Sequence, residues 1–208
     1  MAVPPPAPMI EKTALRARLR AARRTFTPAE RICVNPAFMD RLRPQLVVAS
    51  YRPTDGEADP TPLERAATEA GGILALPRIE NRGAPLRFLA WSPDRPLEAG
   101  PFGLEQPPAS APELVPDIIL APLVAFDRAG RRLGQGAGYY DRAFTLHLES
   151  WRVGVAWSIQ EVACVPVDPW DVPCHAIATE KEWITSCSRP GASPREPSRS
   201  SGSSSSGR

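Results

Sequence analysis

The run Phe126-Asp-Arg-Ala-Gly-Arg-Arg-Leu-Gly-Gln-Gly-Ala-Gly-Tyr-Tyr-Asp-Arg142 carries more potential chemistry than any other part of the chain. Gly134, Gly136 and Gly138 alternate with Gln135 and Ala137, so the backbone can approach a ligand closely and aim successive N–H groups at one point. A helix beginning at Tyr139 and Tyr140 adds the positive end of its dipole, and such a nest suits phosphate. Arg131 and Arg132 precede the glycines and supply charge. Asp141 is placed to hold Mg²⁺, because this hard cation takes one or two carboxylates together with phosphate oxygens and water. Asp171 is the candidate second carboxylate. A G-x-G-x-G run by itself serves a tight turn as readily as a ligand, but turn duty does not require the basic pair, the tyrosines and the acid beside it. Neither G-x-x-x-x-G-K-[ST] nor G-x-G-x-x-G occurs, so the two nucleotide-binding loops with those signatures are unsupported.

This loop needs a strand to deliver it and a helix to follow it. The apolar run 118–123 reads as that strand and 139–148 as that helix. Further strands are expected over 46–51, 72–76, 86–91 and 152–157, with a helix over 62–70 between two of them. Near the start, 11–26 reads as an amphipathic helix, with Leu15, Leu19 and Ala22 on one face and Lys12, Arg16, Arg20 and Arg23 on another. A second helix is expected to begin at Thr27-Pro28-Ala29-Glu30, which has the form of a capping box, and to end before Pro44. Alternating strands and helices predict an α/β fold, a layered αβα structure with a largely parallel central sheet, with 87–91 able to form an antiparallel hairpin.

With 208 residues the chain has room for one domain with a real core. We expect a flexible Pro-rich segment at 1–9, a single catalytic domain at 10–186, and a disordered Ser/Arg-rich tail at 187–208. The net charge of +2 divides unevenly: residues 1–24 hold six Lys/Arg against Glu11, and 187–208 four Arg against Glu196. An acidic body between basic ends argues against a nucleic-acid face built into the fold. There is no secretory signal pattern and no apolar run of spanning length, so a cytoplasmic protein without membrane attachment is expected. Cys33, Cys164, Cys174 and Cys187 form no C-x-x-C pair and read as free thiols. The tryptophans and Met9 could line a pocket but read more simply as core.

Read residue by residue, three roles stay open: a sugar-phosphate enzyme using the glycine loop, a protein that binds nucleotide without turnover, and an RNA-contacting helix and tail. The 126–142 run, however, closely resembles the signature loop of 5-formyltetrahydrofolate cyclo-ligases. The resemblance extends to Lys12-Thr-Ala-Leu-Arg16, to Ser50-Tyr-Arg-Pro-Thr-Asp-Gly-Glu57 and to Trp170-Asp171-Val-Pro-Cys174, covering about 10–185.

That resemblance implies an ATP- and Mg²⁺-dependent enzyme acting on 5-formyltetrahydrofolate, expected as a monomer. It assigns ATP to Lys12, Thr13, Ala14, Leu15 and Arg16, and to Arg132, Leu133, Gly134, Gln135, Gly136, Ala137, Gly138, Tyr139 and Tyr140. The folate falls to Arg52, Glu57, Gln135 and Tyr139, the metal to Asp141 and Asp171, and the reacting group to Tyr139 and Arg132. Two departures stand out. Ala137 occupies a position where family members commonly have Gly or Lys, so phosphate charge is expected from Lys12, Arg131 and Arg132. Cys174-His175 replaces a common Leu-Asp pair.

Overall fold

A computed structural model describes residues 7–81 and 83–186, with side chains from residue 11 on. In chain order the elements are α1 (Ala7–Thr25), α2 (Pro36–Met39), β1 (Val47–Ala49), α3 (Thr61–Glu69), β2 (Ile73–Arg78), β3 (Arg87–Ala90), β4 (Glu98–Ala99), β5 (Glu105–Gln106), β6 (Ile118–Pro122), β7 (Ala125–Phe126), β8 (Arg132–Leu133), α4 (Tyr139–Leu146), β9 (Trp151–Val155), β10 (Ala176–Ala178) and β11 (Trp183–Thr185). Seven of the strands form one sheet in the order β11-β10-β9-β6-β1-β2-β3. The five inner strands run parallel, and β11 and β3 close the two edges antiparallel.

The inner strands are apolar at nearly every position because both faces of the sheet are covered. Ile118 and Leu120 of β6 pack with Val48, Leu63 and Val153 under α3, whereas Ile119 and Ala121 pack with Ala143 and Phe144 of α4. The expected αβα layering and largely parallel sheet are therefore found. From β1 the chain crosses by α3 to β2 on one side, then returns to place β6 on the other side of β1. Ligands of open α/β sheets bind at such a reversal, beyond the carboxyl ends of the strands. The segment 50–64 leaves the end of β1, and the signature loop leaves the end of β6.

The strands expected at 46–51, 72–76, 86–91, 118–123 and 152–157 are all present, and β3 makes the antiparallel hairpin with β2. The helix expected from Thr27 is not. Residues 26–35 are extended or bent, and helix returns only as the four-residue α2, whose Ala37 N–H is capped by Asn35. Pro36 would break a helix running through it, and the Cys33 N–H is given instead to Thr179 O at 3.0 Å. The segments 1–6 and 187–208 lie outside the described residues, and so do the flexible start, in large part, and the tail expected there. Among the described residues no helix is long and apolar enough to cross a membrane.

Candidate active site

The signature loop starts as a hairpin, β7 paired with β8, whose turn is held by one buried carboxylate. Asp127 accepts from the N–H groups of Ala129, Arg131 and Val165 and from Arg131 Nε at 2.7 Å. Leu133 then anchors the strand in a small core with Leu15, Leu19, Val124 and Val165. The same contact docks α1 against the hairpin. Beyond Leu133 the chain rises over 134–138, where Gly136 (φ 107°) and Gly138 (φ 66°) take the left-handed conformations that only glycine adopts cheaply. Gly138 is also the N-cap of α4.

Helix α1 lies along this loop with Lys12, Arg16, Arg20 and Arg23 turned towards the loop and its neighbouring acids. Arg16 Nε donates to Gly134 O at 2.9 Å, and Arg20 donates to Gln135 through both its side-chain and main-chain oxygens at 2.6–3.0 Å. Arg23 is buried, reaching Glu57 at 3.7 Å and Asp55 at 3.5 Å. Glu57 in turn accepts from Gln135 Nε2 at 2.9 Å and from Thr54 N at 3.1 Å. The loop after β1, the glycine loop and α1 are thus tied through Gln135 and Glu57. Burial and then the Glu57 charge push the Tyr140 hydroxyl up, so it stays protonated.

At the start of α1, Lys12 Nζ sits between Asp168 Oδ2 (2.6 Å) and Asp171 Oδ2 (2.5 Å). Burial pulls this ammonium down, but the hydrogen bonds to Asp168 and Asp171 outweigh it and the net shift is upward. Arg132 is buried against the Phe144 ring and bonded to Asp141 at 2.6 Å. The three cations expected to serve phosphate, Lys12, Arg131 and Arg132, each hold a carboxylate. Arg16, Arg20 and Arg142, which have no carboxylate partner among the described residues, all touch the loop. Arg16 is pulled down by burial and then by the Arg20 charge, against an opposing pull from Asp171 and Asp168.

The remaining expected residues separate into two groups. Tyr139 lies under the Arg142 guanidinium (5.0 Å), with its hydroxyl buried and lacking a hydrogen-bond partner among the described residues. Thr13 and Ala14 are on the exposed side of α1, and Leu15 packs in the small core. Arg52 is not brought to the loop: its guanidinium is bonded to Glu64 and stacks on Trp91 at 4.5 Å. Arg20, Arg23, Asp168 and Arg142 belong to the site but were not assigned to it from sequence. The first two continue the spacing of Lys12 and Arg16, so the helix itself carried that signal.

An open cavity of ≈ 510 Å³ adjoins the loop, lined by Gly138, Asp141, Arg142 and Trp170 among others. Among the described residues no three His, Cys, Asp or Glu side chains cluster as an all-protein metal cage. Mg²⁺ binds instead through one or two carboxylates with phosphate and water completing its shell, and Asp141 beside this cavity fits that mode.

The family model of the 5-formyltetrahydrofolate cyclo-ligase family matches residues 8–180. The 5-formyltetrahydrofolate cyclo-ligase of Escherichia coli K12 is 33% identical over 179 residues, covering 79% of this chain and 98% of that protein. The Mycolicibacterium smegmatis 5-formyltetrahydrofolate cyclo-ligase is 35% identical over 150 residues, covering 66% of this chain and 75% of its own. Among solved structures, the 5,10-methenyltetrahydrofolate synthetase of Aquifex aeolicus superposes with a TM-score of 0.68 at 31% identity, covering 88% of this chain and 96% of that one. That of Mycoplasma pneumoniae, at 21% identity and a TM-score of 0.55, covers 80% and 97% and supports the fold alone. Fold, loop and sequence likeness agree over the same stretch, and the chain belongs to the 5-formyltetrahydrofolate cyclo-ligase family.

Proposed function

We propose that this enzyme catalyses the ATP- and Mg²⁺-dependent cyclisation of 5-formyltetrahydrofolate to 5,10-methenyltetrahydrofolate, releasing ADP and phosphate. The observation that carries this reading is the glycine loop flanked by Arg16, Arg20 and Arg142, three cations without a carboxylate partner among the described residues, beside a cavity whose lining includes Asp141. In the reaction the formyl oxygen bonds to the γ-phosphorus as the bond to ADP breaks. N10 then attacks the activated formyl carbon, and phosphate leaves with the former formyl oxygen.

Such chemistry asks the protein for in-line positioning and charge neutralisation, and it needs no nucleophilic side chain. The loop N–H groups and Arg16 cradle the phosphates. Asp141 and Asp171 are the acids that would hold Mg²⁺, which when bound neutralises charge on the transferred group. Glu57, fixed by Gln135 and Thr54, presents a carboxylate that can accept from a pterin N–H. Tyr139, whose hydroxyl has no hydrogen-bond partner among the described residues, shapes the pocket at the formyl group. The test is the absorbance of the methenyl product from purified protein, 5-formyltetrahydrofolate and Mg²⁺, with and without ATP. Product that forms only with ATP is expected. Folded protein that binds both ligands yet makes no product would leave a binding protein instead.

A further inference from the structure

Arg142 follows the signature acid in the first turn of α4 and carries no role in the account above beyond its charge. Its Nη1 donates to Ala137 O at 3.2 Å, which aims the guanidinium back over the glycine loop. A Cβ added at Gly138 would meet that same nitrogen at 3.1 Å, so the guanidinium lies directly against the loop backbone. Nε and Nη2 are buried and have no hydrogen-bond partner among the described residues. The neighbouring acid does not neutralise it, because Asp141 is bonded to Arg132 at 2.6 Å. Arg142, Gly138 and Asp141 also line the ≈ 510 Å³ cavity together.

A half-buried guanidinium with two nitrogens lacking acceptors has a cost that an anion would remove. The other cations first expected to meet phosphate are committed: Lys12 to Asp168 and Asp171, Arg131 to Asp127, Arg132 to Asp141. We propose that Arg142 binds the β- and γ-phosphates of the nucleotide and is the loop's own phosphate cation, a role that the methyl group of Ala137 cannot fill. The proposal rests on the ATP-dependent reading above and names one more residue of that site.

The experiment is calorimetric binding of AMP, ADP and the non-hydrolysable analogue AMP-PNP, with Mg²⁺, to wild type and to Arg142→Gln. Glutamine keeps an N–H for Ala137 O and loses the charge. The Kd for AMP-PNP is expected to rise about 10- to 100-fold, the range of one charge-assisted hydrogen-bonded contact. AMP and 5-formyltetrahydrofolate should bind as before. Residue 137 is exposed and within reach of the same space, so Arg142→Gln combined with Ala137→Lys should recover AMP-PNP affinity. Arg142→Lys should keep most of it even if Arg142→Gln folds poorly. An unchanged AMP-PNP Kd in Arg142→Gln would overturn the proposal. An equal loss for AMP and folate, or loss in Arg142→Lys as complete as in Arg142→Gln, would do the same and leave Arg142 a packing residue. Wild type that binds no adenine nucleotide would remove the ATP-dependent reading itself, and this proposal with it.

Discussion

Lys12 illustrates how a cation of the candidate site is held by structural bonds. Its buried ammonium satisfies Asp168 and Asp171 at once, and these two are further locked by the Asp168 N–H on Asp171 Oδ2 at 2.8 Å. Removing the cation leaves two partly buried carboxylates facing each other. Lys12→Met is therefore expected to lower stability by about 1–3 kcal/mol, less than a fully buried pair because both acids keep some solvent. Urea denaturation measures it; an unchanged midpoint would mean the acids are solvated well enough to do without Lys12. His175 gives a pH dependence of its own. Burial, then the Arg152 and Arg41 charges, push its imidazole down to about 4. The unfolded chain takes up that proton near its ordinary value of 6.5 while the folded chain refuses it. The contribution of neutral His175 is thus complete above that pH and is lost as pH falls from about 6.5 towards about 4. The urea midpoint should drop across this window, and more shallowly in His175→Asn. A ring titrating near its ordinary value in the folded protein, seen by NMR, would contradict the assignment.

At the scale of elements, the β7–β8 hairpin aims the glycine loop, and Asp127 is its fastener. Asp127→Ala strands the buried Val165 N–H and frees Arg131, so a loss of about 2–4 kcal/mol is expected together with weaker nucleotide binding. Stability loss with nucleotide affinity intact would show that the loop holds its shape without the hairpin. This part of the site was legible in the sequence because its causes are local: an apolar run, glycines at alternate positions, then a helix start. The strand β6 and helix α4 were readable for the same reason. The capping-box pattern at 27–30 favours a helix, but Pro36 interrupts it, and the Cys33 contact with Thr179 joins segments too far apart in sequence for a local pattern to show. The strands β10 and β11 went unread because each is three residues long and exists only through pairing, β10 with β9 and β11 with β10. The resemblance assigns Arg52 to the folate, and its guanidinium is held by Glu64 at the start of α3, a contact no local pattern announces. The basic stripe of α1 was legible as a stripe, but its direction was not. Lys12 and Arg23 are as buried as Leu19, since the stripe faces the loop and its acids instead of solvent.

In the whole molecule the site is built from four stretches distant in sequence: α1, the loop after β1, the signature loop and the 168–171 turn. The sheet's reversal between β1 and β6 brings the middle two together, and α1 closes over them from the chain's beginning. Because α1, docked on the hairpin through Leu15 and Leu19, reaches the glycine loop itself through polar bonds from Arg16 and Arg20, its hold on the loop should tighten when the loop gains a ligand. A ligand at a hundredfold excess over its Kd adds about 2.7 kcal/mol to the stability of the native state. Hydrogen exchange with AMP-PNP and Mg²⁺ is therefore expected to slow amides in α1, in 134–138 and around 168–171 together, although they lie far apart in the chain. Lys12→Met should uncouple them, leaving the gain at 134–138 and diminishing it at 168–171. Protection confined to the glycine loop in the wild type would show that α1 is a fixed wall of the domain, and that the site closes by the loop alone.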